Sequence, residues 1–128
     1  MTATYVIPGA EVTGLERFWQ LIGEAVNGPD GYFGRNLDAF ADCLGGGYGT
    51  PDDRDFVIEW RDHELSRRAL GHQETARQLG LRLARVPEAD RGLVQAQLDE
   101  AEAGRGPTVF DWLTEIIDER APGVLRLL

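Results

Sequence analysis

The sequence has no lysine: all thirteen of its bases are arginine, set against 22 acids, and the formal charge is −9. Such a surface repels a phosphate backbone, so no nucleic-acid partner is expected. It favours encounter with a cationic site on a partner, though the same charge also serves plain solubility. Cysteine is almost absent. Cys43 stands alone, cannot close an internal disulfide, and suits a reducing compartment. Its apolar flanks make it a buried small hydrophobe rather than a reactive thiol. No apolar run is long enough to span a bilayer, so no membrane partner is expected. Residues 1–8, MTATYVIP, lack the basic region and apolar run of a signal peptide, and a cytoplasmic location is the expectation. His63 and His72 have neither the spacing nor the company of a metal site, and no cofactor is expected. The glycine-rich run from Gly45 to Gly49 follows a helix and lacks Gly-Lys-Ser/Thr, which excludes a phosphate-binding loop. Ser66 has no recognisable base or oxyanion partner.

What remains is an ordinary globular composition, 42% hydrophobic and 27% charged over 128 residues, sufficient for a single domain with a core that needs no staples. Thr4-Tyr5-Val6-Ile7 is a β-rich run stopped by Pro8-Gly9. Thr13-Gly14-Leu15-Glu16 has the form of a capping box, with Thr13 as cap and Glu16 reaching back. Leu15, Phe18, Trp19, Ile22, Ala25 and Val26 then repeat at helical spacing until Asn27-Gly28-Pro29. Phe56-Val57-Ile58-Glu59-Trp60 is a second strand, whose nearly continuous hydrophobicity is typical of strands covered on both faces, a one-sided sheet being the alternative. Helical patterns follow at 64–70, at 74–86, and, after Pro87, from about Arg91 to Ala103. Thr108 caps an apolar helix containing Val109, Phe110, Trp112, Leu113, Ile116 and Ile117, and residues 124–128 form a third strand. Two helices separate the first two strands, so parallel pairing is expected. The fold class is α/β, a small domain with a three-stranded parallel sheet packed with helices.

The most informative stretch runs from Gly31 to Leu44, GYFGRNLDAFADCL. It opens as a loop after a cluster of turn formers and becomes a helix with Asn36 as its N-cap. Leu37, Phe40, Ala41 and Leu44 share one face, and Asp38 and Asp42 lie four apart on the adjoining one. Like charges at this spacing weaken an isolated helix by a few tenths of a kcal/mol, and only Asp38 is close enough to the helix start to recover part of that. The two carboxylates admit a solvated helix face, acid–base catalysis in a cleft, or recognition of a cationic pocket.

This stretch resembles the core motif of the barstar family of ribonuclease inhibitors, in which an aromatic-Gly-x-Asn-Leu-Asp-Ala run leads into Asp-Cys-Leu. The match covers Tyr32 to Leu44, and the Tyr32–Phe40 part is similar to actinobacterial inhibitors of guanyl-specific ribonucleases. The lysine-free composition, rich in arginine, alanine and glycine, fits a GC-rich genome. The resemblance implies the same small α/β fold. The family's minimal order can be followed from Tyr5 to about Leu70 and resumes near Thr108, so 71–105 is expected to be a helical insertion packed on one side.

The resemblance also implies a mode of action. The helix and its preceding loop would plug the active site of a secreted ribonuclease, one-to-one, with the free inhibitor a monomer. Asp42 would place its carboxylate where the scissile phosphate lies and accept charge-assisted hydrogen bonds. Asp38 would pair with a neighbouring guanidinium, and Tyr32 would stack on the catalytic histidine or its surroundings. Phe33, Gly34, Asn36 and Gly46 complete the expected partner-binding face, with Glu115 of the last helix as a supporting acid. Two positions depart from the founding member. Ala41 replaces a large aromatic, which removes a rim contact, and Arg35 either ties down Asp38 or Asp42 or meets an acid on the partner. Two other readings stay open: a carboxylate-dependent metal enzyme built on Asp38, Asp42 and Glu115, and a docking module of the same fold without inhibition.

Overall fold

Ile7, Ile58 and Trp60, side by side on one face of a small sheet, form the floor of the core. The computed structural model describes residues 2–128. In chain order these form β1 (Ala3–Pro8), a 3-10 turn (Gly9–Glu11), α1 (Leu15–Asn27), α2 (Leu37–Leu44), β2 (Phe56–Arg61), α3 (His63–Ala69), α4 (His72–Leu83), α5 (Glu88–Glu102), α6 (Val109–Arg120) and β3 (Leu125–Leu127). The strands are parallel in the order β1-β2-β3, with Tyr5 opposite Ile58 and Ile58 opposite Leu125. Burial along β2 alternates, with Phe56, Ile58 and Trp60 buried and Val57 and Glu59 only half-buried. Of the two coverings open to the apolar run, the one-sided sheet is the one found. Thr4, Glu59 and Arg126 lie on its other face, in register with one another or one pair apart. Among the described residues no helix is long and apolar enough to cross a membrane.

Aromatic rings bind the helices to this floor. The Phe18 ring of α1 lies 5.1 Å from that of Trp60 and 5.7 Å from that of Phe40, and Trp60 lies 5.0 Å from Phe110 of α6. Each such ring contributes roughly 1.5–3 kcal/mol by burial alone. The Trp60 indole N–H donates to Ser66 Oγ at 2.9 Å, and Ser66 in turn donates to the Gly9 carbonyl at 2.8 Å. Ser66 is thus a buried structural link between α3 and the turn after β1. A second, smaller cluster of Leu79, Val94 and Ala101 joins α4 to α5, with half-buried Trp112 at the seam between the two cores.

Helix α4 runs over His72–Leu83 rather than 74–86, and the starts of α1 and α5 also differ from the sequence expectation. Thr13 does not cap α1: Gly14 occupies the cap position with no side-chain hydrogen bond. The Leu15 N–H donates instead to Glu74 Oε2 of α4 at 2.9 Å, and Glu16 turns away to Arg77 and Gln78. A partner 59 positions away in sequence satisfies the helix end, which no local motif can reveal. Helix α5 starts at Glu88, immediately after Pro87, rather than near Arg91. Pro87 is its cap residue, and Glu88 and Asp90 in the first turn meet the positive end of the helix dipole. Thr108 caps α6 as expected, and Asp111 closes the cap into a capping box.

Candidate functional site

Helix α2 is short, eight residues, and would be marginal alone; tertiary anchors hold it. Asn36 caps it as expected, its Oδ1 accepting from the Ala39 N–H at 2.8 Å. Phe40 is fully buried among the rings of Phe18, Trp19 and Phe33, at 5.7, 5.5 and 6.0 Å. Cys43 and Leu44 are buried with it, and the helix packs on α6. Burial, and after it the neighbouring charge of Asp42, pushes the Cys43 thiol up, which keeps it protonated.

The loop before the helix is held as firmly. Gly34 has φ +92°, and a Cβ there would fall 2.6 Å from the Phe40 nitrogen, so only glycine lets the loop fold down on the first turn of α2. Asn27, the last residue of α1, donates from Nδ2 to the carbonyls of Tyr32 at 2.7 Å and Tyr48 at 2.8 Å. One side chain therefore ties the loop entering α2 to the loop leaving it. In sequence Asn27 reads only as a helix terminator, and nothing local marks this second role.

On this frame the acids are open. Asp38 and Asp42 are both exposed, and neither carboxylate forms a hydrogen bond or ion pair with any other described residue. Arg35 is likewise exposed and unpaired among the described residues, so in the free protein it does not tie down either acid. Tyr32, 44% exposed, and Tyr48, 48% exposed, flank the helix on the two tied loops. Tyr48 was not among the sequence candidates. Gly46, with φ +115°, has open space around it, and Glu115 is exposed on α6.

Three candidates have no open side. Phe33 is 0% exposed, Gly34 is buried beneath the loop, and Ala41 is 8% exposed because it falls on the inward stripe with Leu37 and Leu44. They shape the face from below. Asp38, Asp42 and Glu115 do not gather into a metal centre; among the described residues no three His, Cys, Asp or Glu side chains do. His63 and His72 are engaged with backbone carbonyls, those of Leu128 and Gly106.

The geometry is that of a rigid, aromatic-flanked ledge carrying two unneutralised carboxylates. Such a ledge can offer acceptors to a cationic groove. Compared with known proteins, the chain matches the family model described as Barstar (barnase inhibitor) over residues 2–99. The match takes in β1 through most of α5. No curated protein matches the chain.

Proposed function

The chain belongs to the barstar family, and from that premise we propose that it is an inhibitor of a secreted, guanyl-specific ribonuclease, of the branch found in actinobacteria. It acts in the cytoplasm of the producing cell as a monomer that binds its target one-to-one and performs no catalysis. The observation that carries this reading is the pair of exposed carboxylates, Asp38 and Asp42, left without partners on a helix that is otherwise fully anchored.

A ribonuclease must bind a phosphate, so its groove presents cations whatever its net charge. Asp42 fills that phosphate position and accepts charge-assisted hydrogen bonds, which are shorter and about twice as strong as neutral ones. Asp38 pairs with an adjacent guanidinium, and Tyr32 stacks over the groove. Arg35 meets an acid on the enzyme, the Gly46 backbone lies against the enzyme surface, and Glu115 supports from α6. Because both loops and the helix are held in place beforehand, little ordering cost is left for the encounter. The net charge of −9 speeds association with a cationic groove.

The test is inhibition and calorimetric binding against barnase and a secreted guanyl-specific ribonuclease from an actinomycete. One-to-one binding with submicromolar affinity is expected. The association rate should fall steeply, by roughly tenfold or more, between low and physiological salt, while dissociation changes little. An association rate flat in salt counts against electrostatic recognition. Absence of binding to either enzyme favours a docking module of the same fold.

A further inference from the structure

Three arginines converge beside the acidic helix in a protein whose net charge is −9. A groove runs between α4 and the N-terminus of α2, lined by Arg35, Asp38, Leu81, Arg82, Arg85 and Trp112, among others. Arg35, Arg82 and Arg85 are exposed, and none forms an ion pair with a described residue. Arg82 lies over the Trp112 ring at 5.9 Å, and Arg85, just past the end of α4, donates back to the Leu81 carbonyl at 3.2 Å. Leu81 is 45% exposed. Of the groove's acids, Glu16 is engaged by Arg77 and Gln78, which leaves only Asp38 to offset three guanidinium groups.

We infer that this groove is a second contact surface for the inhibited ribonuclease, receiving an acidic segment on the rim of the enzyme's active site. This rests on the inhibitor reading. The groove is continuous with the α2 face through Arg35, Asn36 and Asp38, so an enzyme seated on Asp42 reaches it without a second binding event. Its charge is opposite to that of the α2 face, so it selects among enzymes whose grooves are alike but whose rims differ. Leu81 and the Trp112 ring supply an apolar floor against which a carboxylate–guanidinium pair is partly shielded from water. A phosphate backbone would suit the arginines but not the acids beside them, which makes an acidic protein segment the better occupant.

The experiment compares the parent, Arg82→Glu/Arg85→Glu and Asp42→Ala against whichever of the two ribonucleases binds the parent more tightly. Each reversal changes the charge by two, so the double variant moves from −9 to −13. If only overall charge mattered, the double variant would associate faster with a cationic groove and bind more tightly. The second-surface reading expects the opposite: affinity at least tenfold weaker, with only a small fall in melting temperature from the lost Arg82–Trp112 contact and the acids placed at the end of α4. Should the double variant not fold, Arg85→Glu alone decides, with a loss of threefold or more expected, since the Arg85 side chain bonds only to the Leu81 carbonyl at the end of α4. Unchanged or tighter binding by the variant, with Asp42→Ala still defective, overturns the second surface and leaves the inhibitor reading standing. If the parent binds neither enzyme, both fall. If the reversals abolish binding of a single-stranded RNA oligonucleotide while ribonuclease affinity is kept, the groove is an RNA site and the inference is wrong.

Discussion

Two helices of this protein each present acids to their surroundings, and those acids are treated in opposite ways. On α4, Glu74 is 8% exposed and fully engaged: it accepts from Arg77 Nε at 2.7 Å, from Gln78 at 3.1 Å and from the Leu15 N–H at 2.9 Å. Burial alone would raise its pKa, but these hydrogen bonds outweigh it and hold the carboxyl below the usual range. On α2, Asp38 and Asp42 have the same chemistry and no partner among the described residues. The first acid closes a helix end and belongs to the fold. The other two face outward from a helix that has secured every other part of itself. A carboxylate that contributes nothing to its own fold, on a frame this well held, is available to a partner.

The sharpest way to break this contrast is Asp42→Ala. Because the Asp42 carboxylate has no bonding partner among the described residues, the substitution should leave thermal unfolding unchanged, or raise stability by a few tenths of a kcal/mol as repulsion with Asp38 is relieved. Ribonuclease binding should nevertheless fall by several kcal/mol, a scale borrowed from the family's founding pair, barnase and barstar. Much of that loss is the cost of leaving the enzyme's cations buried and unpaired. Asp42→Asn should lose most of the effect too, since it keeps size but not charge, and Asp38→Ala should lose less. Inhibition assays beside melting curves decide it: an Asp42→Ala protein that inhibits like the parent sinks the plug mechanism.

The next effect is on the other side of the contrast. Residues 71–105, which we propose as a helical insertion, carry two helices that are not equally dispensable. Glu74 holds the start of α1, and Thr75 Oγ1 accepts from the Val109 N–H at 2.9 Å, holding the start of α6. Replacing 71–105 with a Gly/Ser linker removes both and should cost on the order of 4–5 kcal/mol. Replacing only 84–105 keeps both and should cost about 1–2 kcal/mol. Denaturant unfolding of the two variants measures the gap; equal losses would show that α4 is no more part of the core than α5.

Glu74→Ala isolates one of those links and should cost about 2–3 kcal/mol while leaving ribonuclease affinity unchanged in the folded protein. Its pH dependence has a definite direction. Glu74 and Glu16 are both held below the ordinary carboxylate range, so the unfolded chain binds more protons between the two sets of values. The stabilisation is therefore fully present above about pH 4.5 and is lost as pH falls through the native values. In Glu74→Ala the acid limb of the stability curve should be shallower than in the parent. An identical acid limb would mean that Glu74 does not drive acid unfolding.

Much of this contrast was legible in the sequence, and the reasons differ by element. The Tyr32–Leu44 motif, its Asn36 cap and the spacing of Asp38 and Asp42 are local, so local rules find them. The strands and the Thr108 capping box are local in the same sense. The start of α1 is not, because Thr13 and Glu16 satisfy a local pattern while the actual acceptor is on α4. Phe33 and Ala41 were placed on the partner face because a motif gives sequence neighbours, not the direction in which each side chain points. Arg82 and Arg85 carry no signal in the sequence, because they line one groove with Arg35 only in the folded chain, at a separation that no periodicity encodes. Contacts between distant segments were the part that only the folded chain reveals.

The smallest expected effect concerns what keeps the open acids in position. Asn27 is exposed enough to lose little of its hydration on folding, so its two hydrogen bonds contribute only about 1 kcal/mol together. Asn27→Ala should therefore lower stability by about that amount. Its effect on binding should be of another kind. Without the tie, the loops carrying Tyr32 and Tyr48 sample more conformations in the free protein, and the cost of ordering them falls on complex formation. Affinity should drop by roughly tenfold, about 1.4 kcal/mol, with the salt dependence of association unchanged because Asp38 and Asp42 remain. Asn27→Asp should do worse, since it removes both donors and points a carboxylate at two carbonyl oxygens. Hydrogen exchange in residues 31–36 and 46–50 provides the independent readout: both segments should lose protection together in Asn27→Ala. If only one loosens, or if neither does and affinity holds, the loops are ordered separately and the frame around α2 does not depend on this side chain.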